Sequence, residues 1–204
     1  QLNRLGKSQI KTSYNKITNI DIGRKLSDNM QNLSHNNLNV IVYNFVDMLS
    51  HARTDMKVIK ELAEDDAAYR SLTTSWFEHS PLKDMMSLIS RNQHKLLITT
   101  DHGTVLVKKP TKVLGDKDLT TNLRYKQGRN MKYNNKEVFE IDNPKDVYLP
   151  SVNISSKYIF AREDYFFAYP NNFNYYVNHY KETFQHGGVS LEEMMIPIIT
   201  LSPK

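Results

Sequence analysis

Three short stretches of this chain present carboxylate or imidazole donors that could hold a metal ion. Asp47 is followed four residues later by His51, Asp101 stands directly before His102 and Gly103, and His186 precedes Gly187 and Gly188. Oxygen and nitrogen donors of this kind suit Zn²⁺ or Mn²⁺, and a pair of such ions about 3.5–4 Å apart can clamp the attacking and leaving oxygens of a phosphoryl transfer. Cysteine is absent, so thiolate sites and disulfides are excluded and any metal must rest on His and carboxylates. Each cluster alone is a weak signal. A lone His is more often a satisfied core or surface residue, and an Asp after a strand often only caps a helix. His35, His79, His94 and His179 have no comparable neighbours and are given no role.

The elements that must position these residues are partly legible. Lys95–Thr100 is an apolar run that stops at Asp101-His102-Gly103, as expected of a buried strand that delivers ligands beyond its carboxyl end. Gly103 leaves the backbone free to turn there. Asn39–Val46 reads as a second strand, rich in β-branched residues and ending at Asp47. Between the two, residues 54–91 carry helical periodicity: Ser80-Pro81 marks a helix start, and Leu82, Met85, Met86 and Ile89 follow at helical spacing. Trp76 and Phe77 are read as core. This order of strand, helices and strand predicts a βαβ crossover that pairs the two strands in parallel.

Before them, residues 1–38 form a polar lead-in with one helical stretch, Gly23–Leu33. Residues 108–135 are basic and turn-rich. Arg124, Lys126 and Arg129, interleaved with Tyr125 and Gly128, read either as a solvated loop or as a segment that holds an anionic substrate. Short strands are predicted at Lys157–Ala161 and Tyr165–Ala168, and a loose helix at Phe173–Tyr180. Ser190 and Glu193 have capping-box spacing for a short helix. A closing strand, Ile196–Leu201, follows, with Pro197 near its start.

The bulk properties bound the rest. A chain of 204 residues can bury about 70% of its unfolded surface in one core, so one domain is the default. With 39% hydrophobic and 24% charged residues and a mean hydropathy of -0.58, the chain is neither disordered nor membrane-embedded. No apolar stretch is long enough to span a bilayer. There is no signal-peptide pattern, although the chain starts at Gln1 and reads as a fragment, so a cytoplasmic location is the expectation. A net charge of +5 and a pI near 9.2 admit phosphate esters and nucleic acid as partners, and equally serve solubility.

Taken together and in order, Asn44–Arg53, Thr99–Gly103 and His186–Pro197 resemble the PglZ domain of the alkaline phosphatase superfamily. With Asn122–Arg129 added, the pattern is similar to the C-terminal effector part of PorX-type response regulators of the type 9 secretion system, over roughly residues 39–204. The resemblance implies an alkaline-phosphatase-like α/β fold, a mixed or parallel sheet flanked by helices and here a truncated part of that core. It implies that Asp47, His51 and His186 hold one Zn²⁺ or Mn²⁺ and that Asp101 and His102 contribute to a second. It also implies a metal-dependent phosphodiesterase or phosphatase acting on phosphate esters such as oligonucleotides, with Arg124, Lys126 and Arg129 on the substrate.

The family further uses an Asp and a Thr or Ser nucleophile from an earlier strand, and no apolar run before residue 39 ends in such a pair. The first metal site is therefore expected to be complete and the second incomplete, with covalent turnover lost. Arg53 is read as orienting His51, pairing with phosphate or making a structural salt bridge. Glu192 and Glu193 are read as partners of the ligands, with capping the simpler account of Glu193. The alternatives are a signalling module with a structural metal and a protein partner, with a homodimer left open, and a sequence-independent nucleic-acid binder using residues 108–135.

Overall fold

The computed structural model describes residues 2–115, 119–151 and 155–203. Residues 116–118, inside the basic segment, lie outside the described residues. The chain is a mixed α/β protein with small parallel and antiparallel sheets, and it divides into two compact units, Gln1–Ile98 with Ile199–Lys204, and Thr99–Ile198.

The first unit opens on a strand that the polar composition hides. β1 (Thr12–Ile17) alternates exposed and half-buried residues and ends on buried Ile17. Asn19 then caps α1 (Ile20–Asp28) by accepting a hydrogen bond from the Ile22 N–H at 2.9 Å. A single 3-10 turn, Met30–Leu33, leads to β2 (Leu38–Tyr43), which pairs with β1 in parallel from Thr12↔Leu38 to Ile17↔Tyr43. The crossover thus exists one step earlier in the chain than the sequence predicts: it is β1-α1-β2. Gly23 explains how closely α1 lies on β2, because a Cβ there would sit 2.7 Å from the Tyr43 hydroxyl.

β2 also stops earlier than predicted. Asn44 turns the chain directly into α2 (Phe45–Asp55), so Asp47 belongs to the first helical turn and not to a strand end. α3 (Lys57–Leu62), α4 (Asp66–Glu78) and α5 (Pro81–Arg91) follow. Trp76 of α4 stacks face to face on Phe45, with ring centroids 3.9 Å apart, and meets Tyr43 edge-on at 5.1 Å. This bears out its reading as a packing residue. Pro81 opens α5 as predicted, whereas the Ser80 hydroxyl donates to the Phe77 carbonyl at 2.9 Å and does not cap the helix it precedes. β3 (Leu96–Thr99) pairs with the last strand of the chain, Ile198–Leu201, and not with β2.

The second unit consists of short ladders around two apolar clusters. β4 (Val105–Val107) and β5 (Lys109–Lys112) run almost without a break, followed by β6 (Tyr125–Gly128) and β7 (Val138–Ile141). β8 (Lys157–Ala161) and β9 (Tyr165–Ala168) coincide with the two predicted aromatic strands. β8 is the centre of an antiparallel sheet of order β6-β8-β7, and β9 pairs with β5 in parallel. One cluster gathers Val113, Met131, Val138, Ile159, Ala161 and Phe167, the other Val105, Val107, Leu123, Phe166 and Ala168. α6 (Phe173–Tyr180) covers the second cluster with Phe173, Tyr176, Val177 and Tyr180. β10 (Thr183–Gln185) pairs with β4 antiparallel, α7 (Leu191–Met194) begins after Ser190 as the capping-box spacing predicts, and β11 (Ile198–Leu201) closes the chain. No helix among the described residues is long and apolar enough to cross a membrane.

Candidate functional site

In the first unit, α2 places Asp47 and His51 one turn apart, with His51 Nε2 3.7 Å from Asp47 Oδ1. His51 is largely exposed and Asp47 half-buried. The turn that carries Asp47 is held from α4: the Tyr69 hydroxyl donates to the Val46 carbonyl at 2.8 Å and lies 2.7 Å from the Ser50 hydroxyl. Burial raises the Tyr69 pKa above its ordinary value, which keeps this donor protonated. Arg53 is buried; its Nε donates to the Ala63 carbonyl and its Nη2 to the Glu64 carbonyl at 2.8 Å. Its guanidinium therefore ties down the chain after α3.

In the second unit, the β4–β10 ladder decides which residues meet. Gln185 is opposite Val105, so the residues leaving β10 run beside those entering β4. His186 and His102 consequently stack, with ring centroids 4.0 Å apart and planes 11° from parallel. One ring nitrogen of each lies within 4.8 Å of the other, and both residues are half-buried. The sequence reading assigns these two histidines to different metals; the ladder places them face to face. His102 Nδ1 is 3.0 Å from the Gly103 carbonyl, which can only accept, so the proton sits on Nδ1 and the lone pair on Nε2. Asp101 Oδ1 is 3.8 Å from that Nε2 and is almost fully exposed.

Both histidine-bearing turns close on one segment. The Gly103 N–H donates to the Glu193 carbonyl at 2.9 Å, and a Cβ on Gly103 would overlap the Glu192 carbonyl oxygen. The Gly187 φ of +104° is one that glycine readily adopts, and at Gly188 a Cβ would sit 2.5 Å from Glu193 Oε2. Glu193 is itself buried and pairs bidentately with buried Arg124, Nε to Oε1 at 3.0 Å and Nη2 to Oε2 at 2.9 Å. Its carboxylate also accepts the Gly188 N–H at 2.8 Å and the Ser190 N–H at 3.1 Å. Burial alone would raise the Glu193 pKa, but Arg124 and the two backbone donors outweigh it and hold the carboxyl below its usual range. Replacing Gly103 by Ala is expected to cost about 1–3 kcal/mol through overpacking against rigid backbone, read as a lowered denaturant midpoint. Unchanged stability would show that the Glu192 carbonyl can retreat.

Of the three cations expected on the substrate, two are buried in the second unit and one is exposed. Arg124 is fully buried, and beyond its pair with Glu193 its Nη1 donates to the Tyr165 carbonyl. Lys126 is buried as well; its Nζ donates to the Thr120 carbonyl at 2.7 Å, lies over the Tyr169 ring at 5.1 Å, and is pushed down to about 8 by burial. Arg129 is exposed. The donors of Arg124, just before β6, and of Lys126, within it, serve the interior of the unit because both side chains are buried there. A basic run in a sequence carries no sign of that burial.

The donors fit a divalent ion of the nitrogen- and oxygen-ligated kind: two stacked imidazoles, one with its free lone pair fixed by a backbone carbonyl, and the Asp101 carboxylate beside it. Fold and donors together define a mixed α/β domain with a candidate metal centre. The chain belongs to the PglZ family: the BREX system PglZ alkaline phosphatase-like domain matches residues 2–201, which include the lead-in as well as every candidate ligand. No curated protein matches the chain.

Proposed function

We propose that this chain is a metal-dependent phosphoesterase domain for phosphate esters, with Asp47, His51, Asp101, His102 and His186 as ligands of Zn²⁺ or Mn²⁺. The observation that carries this reading is the His102–His186 stack in a chain of an alkaline phosphatase-like family. The bound metal would supply Lewis-acid polarisation of a phosphoryl oxygen. The protein's own part is positional: the Gly103 carbonyl fixes the His102 tautomer, Tyr69 fixes the turn bearing Asp47, and exposed Arg129 is a cation able to meet a phosphate. The finer reading is an effector domain of a PorX-type response regulator with oligonucleotides as substrates, supported by the Asn122–Arg129 and His186–Pro197 stretches and by the positive net charge. We assign no nucleophile.

One observation favours a second reading, a non-catalytic module with a structural metal. β1 is an early strand of a parallel pair, yet it is followed by Thr18 and Asn19 and not by the Asp expected of the family. Metal analysis of protein purified without chelators, followed by phosphodiester hydrolysis with and without added Zn²⁺ or Mn²⁺, separates the two. Stoichiometric metal with metal-stimulated hydrolysis is the expected result. Bound metal without hydrolysis selects the second reading, and protein that takes up neither ion sinks both.

A further inference from the structure

We propose that Glu193 is a positioning residue that aligns His102 and His186 with one another, using its side chain for one and its backbone for the other. The metal consequence rests on the function proposed above; the alignment itself does not. Three observations converge on Glu193. The side chain receives the N–H of Gly188, two residues beyond His186, and that of Ser190. The main-chain carbonyl receives the N–H of Gly103, the residue after His102. Finally, Gly103 and Gly188 are both so close to the Glu192–Glu193 segment that neither has room for a Cβ.

Capping does not account for this. A capping box needs an acceptor for the Ser190 N–H, which a neutral Gln supplies as well as Glu. Capping a four-residue helix gives no reason to bury a carboxylate and a guanidinium together, because removing each charge from water costs several kcal/mol before their attraction offsets it. What the ionic pair adds is direction. Arg124 grips both oxygens of the Glu193 carboxylate, so the acceptors facing Gly188 and Ser190 cannot swing away. The turn of His186 is thereby fixed relative to the backbone that holds the turn of His102. Metal sites depend on such partners behind the ligands, whose loss typically weakens metal affinity about 10–100-fold.

Two variants of the whole chain test this: Glu193→Gln, and the double replacement Arg124→Met with Glu193→Met, which removes both charges and leaves neither unpaired. The first readout is the contact between the His102 and His186 ring protons by NMR in metal-free protein. The second is Zn²⁺ affinity by titration calorimetry. Wild type should show the ring contact; both variants should lose it and bind Zn²⁺ about 10–100-fold more weakly, with the double variant keeping wild-type stability. A double variant that is stable, keeps the ring contact and binds Zn²⁺ as wild type would overturn the proposal, since Glu193 would then be structural only. If wild type shows the ring contact but takes up no Zn²⁺, and the variants lose the contact, the alignment stands and the metal reading fails.

Discussion

His186→Ala is expected to reduce metal-stimulated phosphodiester hydrolysis by more than about 100-fold, because losing a ligand must cost at least as much as losing a partner behind one. The change removes a half-buried ring stacked at 4.0 Å on His102 from a turn that the backbone holds independently, so the fold should survive it. His179→Ala is the matched control: it also removes a partly buried imidazole stacked on an aromatic ring, that of Tyr175, but one outside the proposed ligand set. Hydrolysis should be unaffected there. Activity of His186→Ala within the wild-type range would remove His186 from the ligand set.

The largest effect on stability is expected at Arg124. Arg124→Met leaves the Glu193 carboxylate 1% exposed and without its counter-ion, and should destabilise the chain by about 3–5 kcal/mol in denaturant unfolding at neutral pH. Acid should shrink that difference. In wild type the Glu193 carboxyl titrates below its ordinary value of 4.5, so the stability it contributes is present above that value and is lost as pH falls through the lower, folded one. In the variant, burial is no longer offset by Arg124, the carboxyl rises and takes up a proton sooner, and the penalty of the unpaired charge fades on acidification. A deficit that stays constant from neutral pH down to pH 4 would show that Glu193 is not ionised in the folded protein.

These two residues mark where reading the sequence succeeds and where it stops. The position of the strand before Asp101, the aromatic pair β8 and β9, α6 and the start of α7 are legible because each rests on local periodicity or a local cap, although that first strand is half-exposed and not buried as expected, with Leu97 60% exposed. β1 is not: Thr12-Ser-Tyr-Asn-Lys-Ile17 has one fully buried side chain, and its strand character comes from pairing with β2 across the whole of α1. The meeting of His102 with His186 follows from the β4–β10 ladder, a contact between distant segments that no local pattern encodes. The burial of Arg124 and Lys126 is not legible in the sequence for a related reason. Their charges suggested solvent or substrate, whereas a carboxylate far along the chain and nearby carbonyls had already engaged them. A trace of the Arg124 partner did exist in the sequence, since Glu193 follows two glycines closely enough to fold back on them.

The stacking of Trp76 on Phe45 also gives the molecule a built-in optical asymmetry. Trp76 is the sole tryptophan of the chain and belongs to the unit formed by Gln1–Ile98 and Ile199–Lys204, where its ring lies flat on Phe45. Selective excitation of indole emission therefore reports on that unit alone. The other unit has no indole but holds nine of the twelve tyrosines, among them Tyr158, Tyr165, Tyr169, Tyr176 and Tyr180, so tyrosine dichroism is weighted towards it, with Tyr14, Tyr43 and Tyr69 of the first unit as the smaller part of that signal. Unfolding followed at both wavelengths would reveal directly whether the two units melt as one body or in sequence.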